Sequence, residues 1–205
     1  MGAKPRKGSV DPRIERSQQV ILRAALAELG DAGYGAFTIE SVAARAGVGK
    51  STIYRHWSDK LDLIRDAFLT FHEQEGPDLG SGTPRDRVER IIRHVAEVVA
   101  GSTFSACIPA LIDGAERDRD LRKFHHRFQA EARRPLIAVI AEGTAAGDFS
   151  GHVDPELAAI ALLGTIFFRR LMTNAPFAPE QAGELVETVL GRPRKVQPSR
   201  PRQAC

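Results

Sequence analysis

Cysteine is scarce in this 205-residue sequence, which contains only Cys107 and Cys205. Two cysteines so far apart form no spacing typical of a zinc or redox site, and a reducing compartment is the expected environment. The longest apolar run, residues 157–168, is shorter than the roughly 20 residues that span a bilayer. Residues 1–10 have no apolar core for a signal peptide. These absences predict a cytoplasmic protein without membrane contact.

Aromatic residues are also few, at 6% of the chain, whereas Ala, Leu, Val and Arg are frequent, a usage that favours helix over sheet. Apolar residues recur at three- and four-residue steps through most of the chain, and no segment has a convincing strand pattern. We therefore predict an all-α fold of about nine helices. Expected helices include residues 13–33, 39–46, 50–57, 104–116, 118–143, 155–172 and 179–190. Pro109 is expected to start or kink one of them, and Pro135 to bend another.

Positive charge is concentrated at the two ends of the chain. The first 60 residues hold ten Lys or Arg against six Asp or Glu, and residues 191–205 hold five Lys or Arg and no acid. Because the whole chain carries only +3, its middle is mildly acidic. Basic ends suggest a polyanionic partner, and a solvated charged surface explains the same counts equally well.

A Gly/Pro/Ser-rich stretch, residues 76–83, is the best candidate for a domain boundary. It separates a helical unit over residues 13–75 from a larger one over residues 84–191. We expect residues 1–12 to form a flexible basic arm and residues 192–205 a disordered basic tail, because both are polar and contain proline.

Residues 47–57, GVGKSTIYRHW, allow two interpretations. A nucleotide-binding loop needs Gly-x-x-x-x-Gly-Lys-Ser/Thr after a buried strand. Counting back from Gly49, the first glycine position is occupied by Ala44, and residues 39–46 have helical periodicity. A nucleotide-binding enzyme therefore remains only a remote alternative. The chain shows no nucleophile–base–acid set and no metal set, so we expect no enzyme activity, no metal site and no cofactor.

A helix-turn-helix fits the same residues better. Thr38 caps a short helix, Gly47 makes the turn, and a second short helix buries Ile53 and Trp57 on one face. The remaining faces of that second helix display Lys50, Ser51, Thr52, Tyr54, Arg55 and His56. Such side chains bind phosphate oxygens or read base edges in the major groove.

The run TIESVAARAGVGKSTIYRHWSDKLDLI resembles the TetR-type transcriptional regulators. Tyr54 and His56 match the Tyr-x-His of that family's recognition helix, and Lys60 matches a lysine at the start of its fourth helix that holds a DNA phosphate. Gly49 departs from the usual Ser, at a cost of only a few tenths of a kcal/mol. The resemblance covers residues 16–75. The predicted DNA-binding residues are Thr38, Arg45, Lys50, Ser51, Thr52, Tyr54, Arg55, His56 and Lys60. For Arg45, a solvated side chain is an equally good interpretation.

The same resemblance implies a second domain that binds a small effector and forms a homodimer through residues 155–190. Residues 147–149 and 154–157 are similar to one C-terminal subtype of the family. The implied function is a ligand-released repressor on a near-palindromic operator; an activator and an architectural DNA-binding protein remain alternatives. The candidate ligand-binding residues, which plain core packing explains as well, are Phe104, Cys107, Leu111, Phe124, Phe128, Ile140, Phe167 and Phe168.

Overall fold

The computed structural model describes residues 12–74, 81–149 and 152–191, and these residues form helices and connecting turns without a strand. Their helices are α1 (Pro12–Ala36), α2 (Ile39–Ala46), α3 (Lys50–Tyr54), α4 (Lys60–Gln74), α5 (Pro84–Gly101), α6 (Thr103–Arg117), α7 (Arg119–Ala146), α8 (Pro155–Met172) and α9 (Ala182–Leu190), with a 3-10 turn at Pro179–Gln181. The all-α prediction is confirmed. Most of the predicted arm, part of the predicted linker and the predicted tail lie outside the described residues.

The chain packs as two compact units. Of the described residues, the first unit contains 12–74 and 101–129, and the second contains 81–100, 130–149 and 152–191. The first unit extends beyond the predicted segment 13–75 because α6 packs along α1. Gly30 allows this close approach, since a Cβ built on it would lie 3.0 Å from the Cβ of Ala106. The assignment of separate functions to the two parts stays a prediction.

The core of the first unit joins α1 to the helix-turn-helix. Ile21 and Leu29 of α1 are buried together with Val42 of α2, Ile53 of α3 and Phe68 of α4. Burying a large apolar side chain stabilises a fold by about 1.5–3 kcal/mol. The short helices α2 and α3 are therefore held mainly by packing, because isolated helices of such length are unstable in water.

Three details of the predicted helices are wrong or incomplete. The recognition helix α3 ends at Tyr54 instead of residue 57, because residues 55–57 form a looser turn in which the carbonyl of Ile53 accepts from the amides of both His56 and Trp57. Pro109 does not start α6; it lies inside that helix, which begins after the cap of Ser102. Helix α7 extends to Ala146 and contains Pro135.

Two helices of the second unit, α5 and α8, begin with side-chain caps. Thr83 and Asp86 exchange side-chain-to-backbone hydrogen bonds at the start of α5, and Asp154 accepts from the amide of Leu157 at the start of α8. Helix α8 buries Ala159, Leu162 and Ile166 within its own unit. Leu157, Ile160, Phe168 and Met172 of the same helix are at least half exposed.

Across the described part of the chain, no single helix is long and apolar enough to cross a membrane, although α5 and α6 taken together meet the length and composition criteria.

Candidate DNA-binding site

The start of α2 is fixed by a reciprocal cap. The hydroxyl of Thr38 accepts from the amide of Ser41 at 3.0 Å, and the hydroxyl of Ser41 accepts from the amide of Thr38 at 3.3 Å. Each bond satisfies an amide that a helix N-terminus would otherwise leave unpaired. The predicted capping role of Thr38 is confirmed, and its contact with DNA stays a prediction.

The turn between α2 and α3 requires glycine at one position. Gly47 has φ 68° and ψ 31°, the left-handed conformation that strains residues with a Cβ. The amide of Gly47 donates to the carbonyl of Ala44, and the amide of Val48 donates to the carbonyl of Ala43. Gly49 then caps α3 with ordinary φ −73°. A helix therefore precedes the Gly-Lys-Ser sequence where a nucleotide-binding loop needs a strand, and the alternative of a nucleotide loop is wrong.

Helix α3 has one buried and one exposed surface. Ile53 is fully buried, and Trp57, just beyond the helix, is 3% exposed. The indole of Trp57 donates a 2.8 Å hydrogen bond to Asp66 of α4, so the end of the recognition segment is tied to the next helix. Over residues 50–56 the side chains of Lys50, Ser51, Tyr54, Arg55 and His56 are exposed, and Thr52 is half-buried. This segment carries six of the nine predicted DNA-binding residues.

His56 and Arg45 are both held by α1. The Nδ1 of His56 lies 3.1 Å from the side-chain amide nitrogen of Gln18. The guanidinium of Arg45 pairs with Glu28 at 2.9 Å and with Asp31 at 2.8 Å. Hydrogen bonds to these two carboxylates raise the pKa of Arg45. Arg45 thus fastens α2 to α1; a phosphate contact by this residue stays a prediction.

Lys60, the first residue of α4, lies on the aromatic ring of Tyr34. Its ammonium is 4.1 Å from the centre of that ring and 3.5 Å from the carbonyl oxygen of Tyr34. Neither the contact nor the importance of Tyr34 is visible in the sequence, because the two residues are 26 positions apart. The only local signal was the placement of Tyr34 near the end of the first predicted helix.

The predicted ligand-binding residues are divided between the two compact units. In the first, Phe104, Phe124 and Phe128 surround Phe68 of α4 with ring centroids 5.3–6.2 Å from it. Cys107 and Leu111 also lie in that unit and are buried in its core. In the second unit Ile140 is buried, Phe167 is half-buried and Phe168 is 62% exposed. Phe68 and Phe71 of α4 complete the aromatic cluster.

A capped short helix, a left-handed glycine turn and a second short helix with a polar outer surface define a helix-turn-helix DNA-binding protein. Residues 21–67 match the model of bacterial regulatory proteins of the tetR family, and residues 77–189 match a tetracyclin repressor-like C-terminal domain. The chain belongs to the TetR family of transcriptional regulators.

Individual relatives agree over most of the chain. An HTH-type transcriptional regulator of Bacillus subtilis, YdeS, is 31% identical, with 80% of this chain and 82% of the relative covered. The DNA-binding transcriptional repressor TetR of Mycobacteroides abscessus is 30% identical, with coverages of 87% and 94%. The crystal structure of AibR with isovaleryl coenzyme A and operator DNA has a TM-score of 0.64 at 20% identity, covering 86% of this chain and 99% of AibR. At that identity the likeness concerns the fold.

Proposed function

We propose that this regulator is a ligand-released repressor that binds a near-palindromic operator as a homodimer in the cytoplasm. The observation that carries the proposal is the polar surface of residues 50–56, where Lys50, Ser51, Tyr54, Arg55 and His56 are exposed while Ile53 is buried. A recognition helix presents such side chains to the major groove while its apolar side packs on the domain.

The exposed side chains fall into two proposed roles. Lys50 and Lys60 carry compact charges suited to phosphate oxygens, and Ser51 and Thr52 add hydroxyl donors. Arg55 reaches guanine with two parallel hydrogen bonds, and Tyr54 and His56 contact base edges or the neighbouring sugar-phosphate chain. Phosphate contacts set overall affinity, and base contacts set sequence preference.

Dimerisation is supported by an apolar stripe on α8. Leu157, Ile160, Gly164, Phe168 and Met172 are all exposed and follow one another at three- and four-residue steps, which places them on one side of the helix. A stripe of this kind pairs with the same stripe of a second chain across a twofold axis. Two recognition helices related by that axis require an operator whose halves are inverted repeats.

The proposed effector is a small, partly apolar molecule. The aromatic side chains around Phe68 are its candidate contacts in the first unit, and the apolar residues of the second unit named above are a separate candidate set. AibR, which shares this fold, was crystallised with isovaleryl coenzyme A, and a short acyl thioester is therefore a reasonable first compound to test. Release follows if the effector binds the DNA-free conformation more tightly than the DNA-bound one.

The decisive experiment measures binding to duplex DNA taken from the region upstream of the protein's own coding sequence and to a scrambled duplex of equal composition. Repressor function requires a preference for the upstream duplex and lower transcription from it when protein is added. Higher transcription would instead identify an activator, and equal binding to both duplexes would identify an architectural protein.

Variants then test the assigned roles. Arg55→Ala and Tyr54→Ala should weaken binding to the upstream duplex more than to the scrambled one, by about 1–3 kcal/mol for a lost two-bond contact to guanine. Arg134→Ala is the matched control, because Arg134 is exposed, lies in the second unit and pairs with Glu131 three positions away. Equal losses on both duplexes would remove Arg55 and Tyr54 from base readout.

A further inference from the structure

The corner between α6 and α7 is built around Tyr34, the residue on which Lys60 lies. The phenol of Tyr34 donates a 2.6 Å hydrogen bond to Oδ2 of Asp118, which stands between the two helices. The other carboxylate oxygen, Oδ1, accepts from the amides of Asp120 and Leu121 at 2.9 and 3.0 Å and so caps α7. Asp118 is thus held by α7 while it holds Tyr34.

Gly114 of α6 leaves the space that the ring of Tyr34 occupies. A Cβ built on Gly114 would lie 2.7 Å from Cγ of Tyr34 and 2.6 Å from a methyl carbon of Leu121. Real Cβ atoms do not approach other atoms so closely, so the ring occupies space that only glycine leaves open. Tyr34 itself is 8% exposed. The ring of Tyr34 is therefore packed against Gly114, and its hydroxyl is hydrogen-bonded to Asp118.

The ammonium of Lys60 lies over this fixed ring. A lysine side chain loses up to roughly 2 kcal/mol of rotamer entropy when it is immobilised, so one that is ordered before binding loses less on meeting a phosphate. An ammonium above an aromatic face is attracted by the ring. The ammonium has three protons, and the carbonyl of Tyr34 receives at most one of them, which leaves donors for a DNA phosphate.

We propose that Tyr34 and Asp118 are positioning residues for Lys60, so that the α6–α7 corner sets how well the protein holds a DNA phosphate. The inference rests on the proposed phosphate contact of Lys60. Tyr34 and Asp118 lie outside the helix-turn-helix, and they would affect DNA affinity only through Lys60.

The charge of Asp118 separates two explanations, a direct electrostatic effect on DNA and the positioning of Lys60. If Asp118 acted on DNA only through its charge, neutralising it would remove a repulsion and tighten binding. If it positions Lys60 through Tyr34, neutralising it weakens binding. Asp118→Asn is suited to the test because asparagine caps a helix as well as aspartate does, so that α7 keeps its cap while the bond from Tyr34 loses its charged acceptor.

The experiment compares the wild type with Asp118→Asn, Tyr34→Phe and Asp120→Asn, each with and without Lys60→Ala. Asp120→Asn is the matched control: it removes the same charge two residues away, where the carboxylate pairs with Lys123 instead of Tyr34. Affinity is measured for the scrambled duplex across a range of salt concentrations, because a phosphate contact is independent of sequence. Thermal unfolding of each variant verifies that it is folded.

We expect Lys60→Ala to reduce the slope of log K against log salt by about one unit. Asp118→Asn and Tyr34→Phe should each weaken binding about two- to tenfold, the range of one hydrogen bond, and lower the slope by less than Lys60→Ala does. Asp120→Asn should bind as the wild type or slightly more tightly. In the Lys60→Ala background, the losses caused by Asp118→Asn and Tyr34→Phe should disappear.

Unchanged or tighter binding by both Asp118→Asn and Tyr34→Phe would overturn the inference. So would losses that persist in the Lys60→Ala background, because these would arise from the fold and not from Lys60. An unchanged salt slope for Lys60→Ala would overturn the phosphate contact and the inference with it. The proposed repressor function fails on a different result, namely the absence of any preference for the upstream duplex over the scrambled one.

Discussion

The ammonium of Lys50 lies 2.9 Å from Oε1 of Glu40, so that the first residue of α3 is paired with the first turn of α2. The hydrogen bond raises the pKa of Lys50 and lowers that of Glu40. Both side chains are more than half exposed, and such pairs add little to stability. The consequence concerns DNA binding instead, because a phosphate at the proposed contact of Lys50 would compete with Glu40 for the same ammonium.

Glu40→Gln should therefore tighten binding to DNA of any sequence. The variant removes both the competing partner and a negative charge close to the proposed phosphate site. We expect about a two- to fivefold gain at low salt that shrinks as salt rises, since exposed charges are screened. Fluorescence anisotropy with the scrambled duplex measures it. The gain should vanish when Lys50→Ala is added, and a gain that survives would show that Glu40 acts on DNA without Lys50.

The two glycines of the turn should respond in opposite directions to a side chain. Gly47→Ala forces alanine into φ 68° and should lower the free energy of unfolding by about 1–2 kcal/mol. Gly49→Ser is the control, because Gly49 has an ordinary φ and a hydroxyl there can cap α3, which should add a few tenths of a kcal/mol. Urea unfolding compares them. Equal stability of Gly47→Ala and the wild type would contradict the strain assigned to this turn.

The stripe on α8 predicts the effect of a charge at its centre. Phe168→Glu would place two carboxylates at a twofold interface and should convert dimers to monomers, as measured by sedimentation velocity. Binding to the upstream duplex should weaken with it, since each half-site is then bound separately. Leu69→Glu alters an apolar residue of α4 that is 47% exposed and should leave the dimer intact. A stable dimer of Phe168→Glu would place the interface elsewhere.

Asp118 should contribute to the acid sensitivity of the fold. The hydrogen bond from Tyr34, followed by that from the amide of Leu121, lowers the pKa of Asp118 in the folded state. A lowered pKa stabilises the fold above the unfolded value of about 3.9, and this stabilisation is lost as pH falls through the folded value. Wild type should thus exceed Asp118→Asn in stability at neutral pH, and the gap should close below about pH 4. A gap independent of pH would show that the charge of Asp118 is not involved.

Cys107 should be chemically inert in the folded protein. Burial raises the pKa of its thiol to about 12, and the thiol donates to the carbonyl of Leu26 at 3.0 Å. Because the thiolate is the reactive form, iodoacetamide should modify Cys107 of a Cys205→Ser variant only as fast as the protein unfolds. Mass spectrometry before and after adding urea measures this. Rapid modification without urea would favour a redox-sensing role.

Local sequence was sufficient to predict the helix-turn-helix. Thr38 and Ser41 make their cap within four residues, Gly47 supplies a conformation that other residues avoid, and the four-residue spacing of Ile53 and Trp57 marks the buried side. Such signals act over a few positions, so they can be read without knowing the fold. The end of α3 was misjudged because the turn of residues 55–57 keeps the same spacing as a helix.

Tertiary structure alone decided which distant residues contact the side chains around the recognition helix. Arg45 meets Glu28 and Asp31 of α1, Lys60 meets Tyr34, and Tyr34 meets Asp118 across 84 positions of sequence. Each contact depends on how α1 packs against α2, α4 and α6. The sequence by itself therefore determined that this protein presents a basic recognition helix, because capping and periodicity are local. Only the fold determined what holds Arg45 and Lys60 in place next to that helix, because their partners come from distant segments.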